Sequence, residues 1–381
     1  MTLQNNVYQT IFCILSGSFS LLAAGSSPPE PPKLNASAYL LQDFNSGRIL
    51  VESNASARVE PASITKIMTT YVVFTALKEG RLKIDDTLTV SKNAWRTKGS
   101  KMFIEVNSKV PVIHLLKGMI IQSGNDAAVA LAENIAGSEA VFVDMMNRQA
   151  KQLAMLNTHF MNVTGWPEEN HYTTAVDMAI LSRHMINQFP EYYPWHQIKE
   201  YTYNGIKQYN RNKLLWSDAS VDGIKTGHTD VAGYCLVSSA KRYDMRLLAV
   251  VFGANSEEER NQESEGLLNY GFRFFETYRL YKAKQILQAA KVWKGNSDKL
   301  ELGLHEDLYI TIARGQHEFL NTEVIYNEPI LAPIQSGQVY GKITVTLAGT
   351  EIASAKVFAL NEVQDGGFWR RTVDEIKLLF H

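Results

Sequence analysis

Cysteine is almost missing from this chain. Cys13 and Cys235 are the two in 381 residues, so no disulfide framework can substitute for a hydrophobic core. Cys235 sits in the strand-like run Tyr234-Cys235-Leu236-Val237 and reads as a buried packing residue. A charge excess is missing too: 38 basic against 39 acidic residues leave a net charge of -1, which argues against nucleic-acid binding. Metal-ligand spacing is absent, because His114, His159, His171, His184 and His196 are scattered; neither a metal nor another cofactor is expected. A firm membrane span is also lacking. Residues 7–24 are only moderately apolar, interrupted by Ser16, Gly17, Ser18 and Ser20, and end at the small residues Ala23, Ala24 and Gly25. This pattern reads as a cleaved export signal over 1–25, although the first ten residues hold no Lys or Arg.

With 45% hydrophobic content, the length allows one large domain and a smaller one. Four prolines within 28–32 make residues 26–34 a linker, since each removes a donor and fixes the backbone. Residues 38–43 and 49–51 read as two strands about a turn. A helix is expected from Pro61 to a stop at Gly80, apolar on nearly every face and therefore buried. Helices are expected over 111–121 and 126–136, with Asn125 and Asp126 as N-cap candidates at the break between them. Val221–Lys225 and Tyr234–Ala240 read as strands about a turn, and the continuous apolar run 246–252 as a central strand. Short alternating segments mark a β domain over 285–360, leaving 35–284 as the larger domain. Finally, 366–381 reads as an amphipathic helix: Phe368, Trp369, Val373, Ile376, Leu379 and Phe380 on one face, charges opposite, too short to cross a bilayer but suited to lie in its interface.

Three short words occur in order: Ser63-Ile64-Thr65-Lys66, Ser123-Gly124-Asn125 and Lys225-Thr226-Gly227. They supply a hydroxyl nucleophile, an amine three residues on along the same helical face, a second hydroxyl with an amide, and a cationic strand. Individually the words are weak, and the chain carries decoys, Ser238-Ser239-Ala240-Lys241 and Ser91-Lys92-Asn93. Lys-Ser/Thr-Gly is rarer, about one position in a couple of thousand on ordinary composition. Order and local structure together make the set an acyl-transfer signature.

With the flanking stretches Ser100-Lys101-Met102-Phe103, Asn210-Arg211-Asn212-Lys213 and Asp222-Gly223-Ile224, these words make the chain resemble a low-molecular-mass penicillin-binding protein, a serine D-alanyl-D-alanine carboxypeptidase. The resemblance implies an α/β (α+β) transpeptidase fold, an antiparallel sheet with a helical cluster, followed by the sandwich-like β domain and a C-terminal membrane anchor. It implies Ser63 as nucleophile, Lys66 as proton acceptor with Lys225 as the like charge lowering its pKa, and Ser123 as relay. Asn125 would orient the peptide, Lys225 and Thr226 bind its carboxylate, Gly227 admit its backbone, and the N–H groups of Ser63 and His228 hold the oxyanion. The implied partners are peptidoglycan stem peptides ending in D-Ala-D-Ala, β-lactams as covalent inhibitors, and the periplasmic face of the bacterial inner membrane. Neither Glu168 nor Glu169 has the setting of a class A β-lactamase base, so efficient β-lactam deacylation is not expected. D,D-endopeptidase or β-lactamase action, or a non-catalytic wall-binding scaffold, remain the alternatives; a broken catalytic word would mark the scaffold, and none is broken.

Overall fold

The structure, a computed structural model, describes residues 27–380; the expected export signal, Cys13 included, lies outside the described residues. An antiparallel five-stranded sheet organises the larger domain. Its order is Ile49–Ser53, Ala38–Asp43, Met245–Ala254, Gly233–Arg242 and Val221–Thr229. The apolar run expected at the centre is there, and alternation along the strands explains what covers it. Leu40, Leu248 and Val250 face a cluster with Ile67, Phe74 and the helices Val112–Ile121 and Asn125–Ala136. Leu41, Leu247 and Val251 face the other way, toward Leu267 and Leu268 of the helix Glu257–Phe274. Both sheet faces are therefore buried.

The helix expected from Pro61 is in two parts: a 3-10 turn over Ala62–Thr65, then an α-helix over Lys66–Lys78. As its all-round apolarity requires, the α-helical part is buried from Lys66 through Phe74. At the break before Asn125–Ala136, neither expected residue caps the helix. Gly124 occupies the N-cap, while the Asp126 carboxylate accepts the N–H groups of Met102 at 2.9 Å and Phe103 at 3.0 Å, fastening a separate loop.

The β domain begins one strand earlier than the composition suggested. Phe275–Tyr281, expected within the larger domain, pairs with Leu308–Ala313; its tyrosines and charges mask a half-buried strand. A six-stranded sheet completes the domain. The C-terminal helix, Phe368–Leu378, is held to it by its polar side. The Asp374 carboxylate accepts from the Lys294 N–H at 2.7 Å, and Glu375 pairs with the Lys294 ammonium. Phe368, Trp369, Ile376, Leu379 and Phe380 are left exposed. Among the described residues no helix is long and apolar enough to cross a membrane.

Candidate active site

Ser63 sits in the 3-10 turn, one turn ahead of Lys66 at the start of the helix, and Lys66 Nζ lies 3.0 Å from Ser63 Oγ. Helical spacing puts both side chains on one face, within reach of each other. The amine is aimed by a second contact, donation to the Thr164 carbonyl at 2.7 Å. That carbonyl belongs to a loop wound around Asn162, whose Oδ1 accepts the N–H groups of Gly165 at 2.8 Å and Trp166 at 3.1 Å. Gly165 is required there: its φ is +85°, and an added Cβ would fall 1.7 Å from the Ala62 carbonyl oxygen. His171 locks the same loop to the nucleophile turn, its Nε2 lying 2.9 Å from Thr65 Oγ1. Burial holds the His171 pKa down to about 4, so the ring is neutral at physiological pH.

Lys66 is 1% exposed. Burial, and then the like charge of Arg211, lower its pKa to about 7, against a smaller opposing pull from Asp126. Arg211 is thus one assisting charge, and Lys225, expected in that role, is electrostatically coupled to the same amine. Lys225 is itself driven well below the lysine range, first by burial and then by Lys66, Arg211 and Arg260. Its Nζ donates to the Thr226 carbonyl at 2.9 Å, beneath the cleft floor.

The other words converge as expected. Ser123 is buried and strained, with φ of +67°, and its Oγ has no hydrogen-bond partner among the described residues. Asn125 donates through Nδ2 to the Lys98 carbonyl at 2.7 Å, leaving a buried, unpartnered Oδ1. Two unpartnered buried oxygens beside a nucleophile are open valences for a ligand. The strand Val221–Thr229 lies at the sheet edge, placing Thr226, Gly227 and His228 along the cleft with Ser63. Gly227 also matters for packing within the protein. A Cβ there would lie 3.1 Å from both the Ile64 nitrogen and the Pro61 carbonyl, so its lack of a side chain lets the strand seat against the Ser63 turn. The His228 ring packs on Tyr234, with centroids 4.1 Å apart.

Two cleft residues went unrecognised in the sequence. Arg211 and Arg260 line a lobe of about 450 Å³ together with Thr226. Arg211 is presented by buried neighbours, since Asn210 donates to the Ile198 carbonyl and Asn212 to the Gly223 carbonyl, each at 3.0 Å. The Asn-Arg-Asn word carried that signal. Arg260 carried none, because after three glutamates it resembles an ordinary solvated first helical turn. Glu168 is engaged elsewhere: its carboxylate accepts from Asn162 Nδ2 at 2.8 Å and lines neither lobe of the cleft.

A serine hydroxyl beside a buried low-pKa amine, a second hydroxyl and an amide unpartnered among the described residues, and an edge strand flanked by guanidinium groups fit a serine acyl-transfer enzyme of the penicillin-binding type. Residues 25–256 match the family model described as D-alanyl-D-alanine carboxypeptidase, and residues 275–365 match penicillin-binding protein 5, C-terminal domain. The chain belongs to that carboxypeptidase family, Peptidase S11. D-alanyl-D-alanine carboxypeptidase DacA of Escherichia coli (strain K12) is 44% identical over 361 residues, covering 93% of this chain and 90% of its own length. DacF of Bacillus subtilis (strain 168) is 38% identical over 339 residues, covering 87% of each. Penicillin binding protein 5 from Haemophilus influenzae superposes with a TM-score of 0.86 at 41% identity, covering 88% of this chain and all of that one (100%).

Proposed function

We propose that this enzyme removes the terminal D-alanine from peptidoglycan stem peptides ending in D-Ala-D-Ala, through an acyl-enzyme on Ser63. The observation that carries the reading is the buried Lys66 amine, 3.0 Å from Ser63 Oγ with its pKa lowered to about 7. Neutral Lys66 takes the Ser63 proton as Oγ bonds to the carbonyl carbon between the two D-alanines. The N–H groups of Ser63 and His228 hold the oxyanion; losing one such donor typically costs about 3 kcal/mol. As the C–N bond breaks, Ser123 passes a proton to the departing amine, and water then cleaves the Oγ–acyl bond. Asn125 Oδ1 accepts a peptide N–H. Thr226, with Arg211 and Arg260, binds the terminal carboxylate, and Lys225 holds the strand through the Thr226 carbonyl.

A β-lactam enters the same chemistry, but its leaving group stays tethered. Glu168, bound to Asn162, is not poised to drive deacylation. The enzyme is placed outside the cytoplasm, on the periplasmic face of the inner membrane. The exposed Phe368, Trp369, Ile376, Leu379 and Phe380 support peripheral attachment through the terminal helix.

Ser63→Ala is expected to abolish both D-alanine release and covalent labelling by penicillin, and mass spectrometry of the penicillin-treated protein should find the adduct on Ser63. An adduct on any other residue would show the nucleophile to be misassigned.

A further inference from the structure

The Lys66 amine is aimed by the Thr164 carbonyl, so whatever places that carbonyl shares in the reaction. A neutral amine carries two hydrogens and one lone pair. Donating one hydrogen to Thr164 restrains rotation about the Cε–Nζ bond and keeps the lone pair for the Ser63 hydroxyl, 3.0 Å away. The carbonyl belongs to a turn tied internally by Asn162, whose Oδ1 accepts the N–H groups of Thr164, Gly165 and Trp166. Those bonds make the turn a unit. Where the unit sits depends on contacts that leave it.

Val163 makes two such contacts, one at each end of its backbone. Its carbonyl accepts from Thr69 Oγ1 at 2.8 Å, one helical turn beyond Lys66. Its N–H donates to Glu139 Oε1 at 3.2 Å. Glu139 opens the helix Glu139–Gln152, which Ser138 caps by accepting the Val141 N–H and which Phe142 and Met146 fix in the core. The same helix holds the approach to the turn, since Asn147 bonds both the N–H and the carbonyl of Phe160, each at 2.9 Å. Glu139 is half-buried and lines neither lobe of the cleft, so it acts at a distance, through Val163 and Thr164.

We infer that Glu139 is a positioning residue for acylation of Ser63: its carboxylate, by accepting the Val163 N–H, places the turn whose Thr164 carbonyl aims the Lys66 amine. This role rests on the carboxypeptidase reading and deepens it with a residue that lies in none of the three catalytic words. The requirement is for an acceptor at that point rather than for a charge, because an amide oxygen in the same place accepts the same N–H. Loss of the acceptor leaves the Thr69 and Asn162 contacts standing, so the turn shifts without unravelling and the effect falls on the chemical step, about tenfold. Recognition of the terminal carboxylate uses Thr226, Arg211 and Arg260 in the first lobe of the cleft and is untouched.

The experiment follows acylation of the full enzyme by a fluorescent penicillin over a range of concentrations, which separates the dissociation constant of the first complex from the limiting rate of acyl-enzyme formation. Glu139→Ala, and Glu139→Met, which keeps the bulk without the acceptor, are expected to lower the limiting rate about tenfold with the dissociation constant within about twofold of wild type. Glu139→Gln should keep at least about a third of the wild-type rate. Retention of the wild-type rate by Glu139→Met, a loss carried by the dissociation constant, or a Glu139→Gln enzyme as slow as Glu139→Ala overturns the role of Glu139 alone, since acylation of Ser63 still stands in the wild type. A wild-type enzyme that forms no acyl adduct overturns the carboxypeptidase reading and the role of Glu139 with it.

Discussion

The proton inventory of Lys66 should set the rate of acylation. Burial and Arg211 bring its pKa to about 7, from an ordinary value of 10.5. At pH 7 about half of the amines are therefore neutral, against about one in 3,000 for an unperturbed lysine. That is a gain of roughly a thousandfold in competent enzyme, equivalent to a pKa displacement on the order of 5 kcal/mol. The second-order rate of labelling by a fluorescent penicillin, followed from pH 5 to pH 9.5, is expected to climb about tenfold per pH unit at the acid end and level off above about 7. Lys66→Arg, whose guanidinium stays protonated across this range, should lose at least about a thousandfold. Arg211→Gln removes the assisting cation and should move the inflection upward. An inflection above pH 9 in the wild type, or retention by Lys66→Arg of more than about a tenth of the rate, would refute a titrating Lys66 as the base.

The same burial has a signature in stability. The folded-state pKa lies below the unfolded one, so between pH 7 and 10.5 the unfolded chain binds the extra proton; the cost of burying the amine is complete below pH 7 and fades as pH rises toward 10.5. Lys66→Met should therefore raise Tm more at pH 6 than at pH 9 by calorimetry, and equal gains would contradict this assignment. Gly165→Ala would place a Cβ 1.7 Å from the Ala62 carbonyl at a φ of +85°. It should cost about 2–4 kcal/mol in denaturant unfolding and at least about a hundredfold in acylation rate, through displacement of the Thr164 carbonyl. Replacing both Arg211 and Arg260 by Gln should raise KM for a D-Ala-D-Ala peptide about tenfold or more while sparing that for its C-terminal amide, measured by D-alanine or D-alaninamide release; equal losses on both would remove these residues from carboxylate recognition. Truncation after Asp365 should free the enzyme from membranes in a flotation assay with turnover of soluble peptide retained, and continued membrane retention would discount the terminal helix as anchor.

Much of the site was legible because its decisive contacts are local. Ser63 and Lys66 are three residues apart, so a single helical turn puts hydroxyl and amine on one face. That Lys225-Thr226-Gly227 lies on a strand followed from patterning and a following turn, whereas its edge position came only with the sheet order. Arg211 and Arg260 were less legible, since neither is near a catalytic word in sequence. Asp126 was misread for a related reason: an acid at a helix start resembles a cap, and only the arrival of residues 102–104 at its carboxylate reveals a loop anchor. Phe275–Tyr281 was assigned to the wrong side of the boundary because a strand's domain is set by its partner, here Leu308–Ala313, which lies some thirty residues further on.

By itself, then, the order of residues determined the chemical groups, their short-range pairing and the architecture of sheet, helices and β domain. These follow from backbone geometry and from the periodicity with which apolar side chains recur. Folding in three dimensions decided that Arg211 lies close enough to lower the Lys66 pKa, how tightly Gly227 seats against the Ser63 turn, and where the guanidinium groups lie around Ser63. Desolvation, Coulomb interaction and steric fit act through space, between segments whose separation along the chain says nothing of their distance in the folded molecule.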